Sequence, residues 1–326
     1  MTRLKSEGIK GVWAGLTMAW DEKDRLDEGT YHANSERLCL ARVHGIYTTG
    51  STGEFYALDF DEFRQMVDIQ AEICGKWNMP LQIGCCADST RKVIRLVECA
   101  AQKKQVGAVQ VVIPYWMELN DNEVLQFFRD LYTACPEMPL VHYNIPRAKR
   151  FLTGPCYQRI VKVAPTLVGV KFTMAGAHFG QLQQALLMTP ELSYFVSEDL
   201  LVSAMMLGAR GSYSSLVCTN PKFMLTLYEH VRCARWAEAL KMQAFIARFF
   251  DEVASFIESR GEGTSDPVFD KGLAVASGFL LGSARTRRPY IGWREETVQA
   301  VRKWLVDRYP QLIFPLADRG GPGASG

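Results

Sequence analysis

The stretch Leu167-Val168-Gly169-Val170-Lys171-Phe172-Thr173 places a single charged side chain at the end of an otherwise apolar run. Such a short apolar run predicts a strand of a parallel sheet that is buried on both faces. Lys171 then lies where the strand ends, and we expect its amine to face a pocket. Desolvation disfavours the ammonium form of a lysine, and a neutral amine can attack a ketone to form a Schiff base. The alternative, for Val170-Lys171 taken alone, is a strand-end lysine that extends to water.

Seven more short apolar runs occur at intervals of roughly 30 residues, with helical segments between them. The eight candidate strands are Gly11 to Leu16, Gly45 to Tyr47, Leu81 to Gly84, Ala108 to Ile113, Leu140 to Tyr143, Leu167 to Lys171, Leu192 to Val196 and Ser212 to Leu216. One connector has Val93, Leu96, Val97 and Ala100 on one helical face and charged residues on the other. Strand-helix units repeated eight times predict an α/β fold, a TIM (β/α)8 barrel with a C-terminal helical extension.

The barrel is predicted to span residues 1–235 and to carry the active site. A helical region follows from Trp236 to residue 315, with a loop predicted from Arg260 to Pro267. The glycine-rich stretch 316–326 is predicted to be a flexible tail. The alternative fold is an open doubly wound sheet, which usually carries a glycine-rich phosphate loop after its first strand. The segment Leu16 to Trp20 is not such a loop, so the barrel is favoured.

Two further segments follow predicted strands and therefore belong to the same end of the barrel as Lys171. They are Gly50-Ser51-Thr52-Gly53-Glu54 and Tyr143-Asn144-Ile145-Pro146. Together with the sequence around Lys171, they resemble the motifs of the dihydrodipicolinate synthase/N-acetylneuraminate lyase family of pyruvate-dependent Schiff-base aldolases. The resemblance implies a metal-independent lyase whose substrates are a 2-oxo acid such as pyruvate and an aldehyde. It also implies a homo-oligomer, a tetramer or a dimer.

The resemblance gives each motif a role. Lys171 would condense with the keto carbon, and Tyr143 would move protons between the lysine and the substrate. Ser51 would belong to the same hydroxyl relay as Tyr143. Gly50, Ser51 and Thr52 would hold the carboxylate through backbone N–H groups and hydroxyls, so no second cation competes with the lysine. This chemistry needs no external cofactor and no metal.

Other residues near the predicted strand ends are candidate substrate contacts or structural groups. Glu198 and Ser215 align with positions that contact the polar tail of a sugar acid in lyases of the family. A helix-capping role is the alternative for Glu198. Trp116 stands where these enzymes usually have a tyrosine, and an aromatic lid there suits an aromatic substrate. Strand alternation turns His142 toward the helices and His178 begins a helix, so neither is assigned to catalysis.

The motifs favour a particular kind of family member. Gly-Ser-Thr-Gly-Glu and Tyr-Asn-Ile-Pro are closer to N-acetylneuraminate lyases than to dihydrodipicolinate synthases. Ala148 occupies the position of the arginine with which the synthases grip their second substrate, although the basic cluster Arg147 to Arg150 leaves a shifted clamp open. A sugar-acid aldolase is therefore placed first. A hydratase-aldolase of aromatic 2-oxo acids, a 4-hydroxy-tetrahydrodipicolinate synthase, a 2-oxo-3-deoxy sugar acid dehydratase and a non-catalytic 2-oxo acid sensor remain alternatives.

Composition limits the class of partner and the compartment. The 326 residues carry 37 Lys+Arg against 35 Asp+Glu, a net charge of +2, which predicts neither a nucleic-acid surface nor a membrane surface. The nine cysteines lack the spacing of a metal site and predict reduced thiols. The amino terminus has no apolar core of signal-peptide length. A cytoplasmic protein with small-molecule substrates is expected.

Overall fold

A computed structural model of the chain describes residues 3–173 and 176–314. The tail predicted for residues 316–326 lies outside the described residues. Within them, no helix is long and apolar enough to cross a membrane. All nine cysteines are free thiols.

Eight parallel strands form a closed barrel in chain order, with β8 paired to β1, and this confirms the predicted TIM barrel. The strands are β1 Gly11–Gly15, β2 Gly45–Thr48, β3 Leu81–Gly84, β4 Val106–Val111, β5 Leu140–Asn144, β6 Leu167–Phe172, β7 Ser193–Val196 and β8 Gly211–Ser214. The last strand ends earlier than predicted, because Leu216–Cys218 turn into a 3₁₀ helix. The fourth strand begins at Val106 rather than Ala108, since an irregularity in the β3–β4 register accommodates the extra residues.

Helices alternate with the strands and then continue beyond the barrel. In the described residues they are α1 Glu28–Leu40, α2 Phe60–Lys76, α3 Thr90–Ala101, α4 Asp121–Ala134, α5 Gly154–Val163, α6 Phe179–Met188, α7 Leu201–Met206, α8 Pro221–Arg232, α9 Trp236–Glu258, α10 Asp266–Ser277 and α11 Glu295–Arg308. Two of them begin with a capping box, Asp59 with Glu62 in α2 and Asn120 with Glu123 in α4, which satisfies backbone donors at the first turn.

The core has two parts that follow from the alternation of side chains along each strand. Inward-facing residues, among them Trp13, Tyr47 and Tyr213, fill the barrel interior. Outward-facing residues pack against the helices. His142 is one of these, and its Nδ1 lies 2.8 Å from the hydroxyl oxygen of Tyr157 on α5. This confirms that His142 faces the helices, where burial lowers its pKa to about 3 and keeps the ring neutral.

The C-terminal helices return to the barrel rather than extend away from it. The loop predicted from Arg260 to Pro267 is shorter than expected, because α10 begins at Asp266. Pro267 lies in the first turn of that helix, where a missing N–H costs nothing. Helix α10 lies against the carboxyl-terminal end of the barrel, next to the strand ends on which the predicted site residues are found.

Candidate active site

Lys171 and Tyr143 lie side by side on neighbouring strands. Their Cα atoms are register partners in the β5–β6 pair, so both side chains project from the same face of the sheet. The amine nitrogen of Lys171 lies 4.1 Å from the ring centroid of Tyr143. In the described part of the chain, no carboxylate lies within ion-pair distance of this amine. An unpaired, partly buried amine beside a phenol is the arrangement that imine chemistry requires.

The loop after β2 brings Ser51 to the same place. Its hydroxyl oxygen lies 3.5 Å from the hydroxyl oxygen of Tyr143, at the limit of a hydrogen bond. The loop is held in an unusual shape, because Thr49 before it and Glu54 at its end both have positive φ angles of 57° and 50°. Gly53 is required for close approach, since a Cβ there would lie 2.5 Å from the backbone nitrogen of Thr49.

A buried ion pair fixes the end of this loop. The Glu54 carboxylate is 0% exposed and pairs with the amine of Lys271 on α10, which is 2% exposed. Trp20 Nε1 and the backbone N–H of Arg287 each donate to the other Glu54 oxygen at 3.0 Å. Lys271 also donates to the backbone carbonyl of Arg285 at 2.6 Å. The loop therefore depends on the C-terminal helices for its position.

A cavity of about 430 Å³, which we call the mouth cavity, opens at the strand ends beside Tyr143 and Ser51. Its walls are mainly aromatic and apolar, with one charged pair at the rim. They are formed by Ser51, Phe55, Tyr56, Val112, Tyr115, Tyr143, Ile145, Arg147, Ala148, Ser265, Asp266, Pro267 and Tyr290. Such walls suit an organic group that carries an aromatic ring better than one that carries many hydroxyls.

The charged pair at the rim consists of Arg147 and Asp266. Two hydrogen bonds of 2.6 and 3.0 Å join the guanidinium to the carboxylate. Burial alone would raise the pKa of Asp266, but the hydrogen bonds and charge of Arg147, together with the charge of Lys171, outweigh it and lower that pKa. Arg147 is already paired with Asp266 and Ala148 is buried, so neither of these two positions offers an unpaired cation at the cavity for a second carboxylate.

Glu198 is buried, and its carboxylate accepts hydrogen bonds from the turn after β8. Its Oε1 accepts hydrogen bonds from the backbone N–H groups of Leu216 at 2.9 Å and Ser215 at 3.2 Å, and from the Ser214 and Ser215 hydroxyls at 3.2 and 3.3 Å. Burial raises the pKa of Glu198, although the backbone hydrogen bond from Leu216 opposes the shift. These contacts agree with the capping alternative. Contact of Glu198 or Ser215 with substrate stays a prediction.

Trp116 lies apart from the other predicted site residues. Its side chain is 76% exposed, whereas its neighbour Tyr115 lines the mouth cavity. Lys149 donates to the backbone carbonyl of Trp116 at 2.6 Å and holds this segment against the loop after β5. Within one chain, Tyr115 therefore takes the place at the cavity that the sequence suggested for Trp116.

The residues on α10 were not foreseen from the sequence. A hydrogen bond of 2.5 Å joins Oδ2 of Asp270 and Oγ1 of Thr52, and the Asp270 carboxyl group also interacts with the Ser215 side chain. Asp266 and Asp270 are four residues apart and so lie on one helical face. That spacing, with Lys271 inside an apolar helix, is the signal in the sequence that could have identified them.

A larger cavity, about 700 Å³, lies outside the barrel mouth between the β1–α1 segment and residues 280–295. Two of its acidic residues have structural partners: Asp27 caps α1, and Asp24 pairs with Arg285 at 3.3 Å. The smaller cavity, which contains Ser51 and Tyr143, is the candidate active site. In the described ranges no cluster of three or more His, Cys, Asp or Glu side chains could hold a metal ion.

The chain is similar to known proteins along most of its length. The model of the dihydrodipicolinate synthetase family matches residues 8–261. A 4-hydroxy-tetrahydrodipicolinate synthase of Methanospirillum hungatei is 27% identical over 311 residues, which cover 92% of this chain and 99% of that protein. The N-acetylneuraminate lyase of Rhizobium meliloti is 25% identical over 306 residues, which cover 89% and 98%. A trans-O-hydroxybenzylidenepyruvate hydratase-aldolase of Pseudomonas putida is 28% identical over 210 residues, 61% and 60% of the two chains.

The fold is shared with solved structures. YagE of E. coli K12, a member of the dihydrodipicolinic acid synthase family solved in complex with pyruvate, superimposes with a TM-score of 0.80 at 19% identity. The match covers 92% of this chain and 98% of YagE.

Proposed function

This chain belongs to the dihydrodipicolinate synthetase family and is a carbon–carbon lyase of that family, and from this premise we propose that Lys171 forms a Schiff base with a 2-oxo acid such as pyruvate. The observation that carries the proposal is the position of the Lys171 amine, 4.1 Å from the Tyr143 ring and without a paired carboxylate in the described residues. The finer assignments of substrate and residue roles below belong to the same proposal.

Two side chains, Lys171 and Tyr143, take part in the proposed reaction. The lysine nitrogen attacks the keto carbon, and the resulting carbinolamine loses water as the imine forms. The protonated imine withdraws electrons, so the adjacent methyl group gives up a proton and an enamine results. The enamine carbon then adds to an aldehyde, and water hydrolyses the resulting imine to release the product and the free lysine. The reverse sequence cleaves that product. Tyr143 accepts and returns the protons of these steps, and its position beside the Lys171 amine supports this role.

The loop after β2 holds the carboxylate of the 2-oxo acid. Ser51 and Thr52 offer hydroxyl donors, and the close approach of the backbone at Gly53 keeps the turn compact. Binding the anion by hydrogen bonds rather than by a cation leaves the electrophilic imine as the main positive group in the site. The reaction needs no metal and no external cofactor.

The aldehyde half of the reaction takes place in the mouth cavity. Four aromatic side chains line this cavity, Phe55, Tyr56, Tyr115 and Tyr290. At its rim, Arg147 and Asp266 neutralise each other's charge. These walls favour an aromatic aldehyde over the sugar-acid substrate that the motifs placed first. They also disfavour aspartate semialdehyde, which would need a free cation for its carboxylate. A sugar acid is the second candidate, because Ser51 and Thr52 would bind its 2-oxo acid group in the same way as that of an aromatic substrate.

Borohydride trapping with pyruvate tests the lysine. We expect the wild-type protein to carry a reduced covalent adduct on Lys171 and the Lys171→Met variant to carry none. Lys149→Met is the matched control, because Lys149 is an exposed lysine near the same cavity, and it should be labelled as the wild type is. Wild type that stays unmodified would rule out the proposal. An adduct without turnover of any aldehyde would instead identify a 2-oxo acid sensor.

A substrate panel then ranks the aldehydes. Benzaldehyde, an aldose and aspartate semialdehyde, each offered with pyruvate, should be used in that order of kcat/KM. Tyr115→Ala should reduce the preference for benzaldehyde. Trp116→Ala should leave that preference unchanged, because Tyr115 and not Trp116 lines the cavity. Preference for the aldose in both wild type and variants would return the sugar-acid aldolase to first place.

A further inference from the structure

We propose that Asp270 is a positioning residue of the 2-oxo acid site: its neutral carboxyl group donates a hydrogen bond to the Thr52 hydroxyl, and Thr52 in turn donates to the substrate carboxylate. This inference rests on the proposed function, because it concerns how the same site holds a 2-oxo acid. It adds to that site a residue from α10, outside the barrel strands and the motifs that follow them.

The contact between the two residues is short and spans the fold. Oγ1 of Thr52 lies 2.5 Å from Oδ2 of Asp270, 218 positions away in the chain. The Thr52 hydroxyl has one hydrogen. If the carboxyl group is ionised, that hydrogen must point to Asp270 and is lost to the substrate. If the carboxyl group is protonated, its own O–H donates to Thr52, and the Thr52 hydrogen is free to reach a carboxylate.

The surroundings of Asp270 favour the neutral form. Two other acids face it, Asp266 on the same helix and Glu198 after β7, and the Cys218 thiol lies near it from the turn after β8. The adjacent cations are engaged elsewhere, since Lys271 pairs with Glu54 and Arg147 pairs with Asp266. Within residues 3–173 and 176–314, no cation lies within ion-pair distance of Asp270.

Electrostatics point the same way. Burial, followed by the charge of Asp266, raises the pKa of Asp270 to about 8, although the hydrogen bond with Thr52 acts against the shift. A neutral acid at this position does not repel the carboxylate of the substrate, whereas an ionised one would. Binding of the 2-oxo acid is therefore expected to weaken as the pH rises through about 8, by about tenfold for each further pH unit.

The test compares two probes on the wild-type protein. The two probes are pyruvate and pyruvamide, its uncharged amide. For each probe, the apparent dissociation constant is the concentration that gives half-maximal borohydride trapping, measured from about pH 7 to about pH 9.5. Any effect of pH on imine formation itself is common to the two probes, so it cancels in their ratio. We expect the ratio of the pyruvate constant to the pyruvamide constant to rise with pH. A ratio that stays flat across this range overturns the inference.

Variants locate the effect. Asp270→Asn keeps the shape and can donate to Thr52 at every pH, so its pyruvate/pyruvamide ratio should no longer change with pH. Asp307→Asn is the matched control, because Asp307 is an exposed acid on α11, and it should retain the wild-type profile. A folded Asp270→Asn protein with the wild-type profile contradicts the inference, and the two-probe test stands if that variant does not fold. If neither probe forms an adduct at any pH, it is the proposed function that fails.

Discussion

Removing the buried cation of α10 should destabilise the chain far more than removing a surface cation. The perturbation is Lys271→Met, which keeps the length of the side chain and deletes its charge. Lys271 is 2% exposed and its partner Glu54 is 0% exposed, so the variant leaves a carboxylate inside the protein without its counter-ion. The matched control is Lys92→Met, which breaks the pair between Lys92 and Asp88, whose side chains are 65% and 45% exposed.

The magnitude follows from the difference in burial. Breaking a buried ion pair by removing one partner costs about 3–5 kcal/mol, whereas an exposed pair contributes at most about 1 kcal/mol. Trp20 and the backbone of Arg287 would still donate to Glu54 in the variant, which places the expected loss toward the lower end, about 3 kcal/mol. Adding Glu54→Gln removes the stranded charge, so the double variant should recover part of that loss.

Urea unfolding followed by circular dichroism measures these differences. The free energy of unfolding is extrapolated linearly to water for the wild type, both single lysine variants and the double variant. A Lys271→Met protein within about 1 kcal/mol of Lys92→Met would refute the reasoning, because it would mean that the Glu54 carboxylate does not need its partner. A double variant that is less stable than Lys271→Met would refute the assigned cause, the stranded charge.

Three further outcomes are expected. Gly53→Ala should destabilise the protein and weaken pyruvate trapping, because its Cβ would lie 2.5 Å from a backbone nitrogen, whereas Gly180→Ala, with nothing within 4 Å and in the first turn of α6, should change the free energy of unfolding in urea by no more than about 0.5 kcal/mol. Asp270→Asn should raise the melting temperature at pH 8 and lose this advantage near about pH 4: the folded wild type keeps a proton on Asp270 that the unfolded chain releases, so its stability falls as the pH rises between those values. Asp266→Asn should free the Arg147 guanidinium and raise kcat/KM for a carboxylated aldehyde relative to benzaldehyde by about tenfold, and an unchanged ratio would show that the arginine is not within reach of that substrate.

The barrel and its reactive end could be predicted from the sequence because both depend on local patterns. Apolar runs mark the strands, and parallel strands bring their carboxyl ends to one edge whatever the loops do. That rule alone places Lys171, Tyr143 and Ser51 near one another. It also predicts the outward direction of His142, because side chains alternate along a strand.

Contacts between distant segments could not be predicted in this way. Thr52 and Asp270 are 218 positions apart, and no periodicity in either segment indicates that α10 returns to the barrel mouth. For the same reason, the sequence could not say that Asp266 neutralises Arg147 or that Tyr115, rather than Trp116, lines the cavity. These features depend on packing between elements, which a local pattern does not encode.

The Glu54–Lys271 pair has a consequence for how this protein is made. Glu54 leaves the ribosome early, and its counter-charge follows 217 residues later. Until then Glu54 lacks its cationic partner, and we expect the loop that carries it to remain exposed to water. We therefore expect the loop after β2 to become ordered only once α10 has emerged.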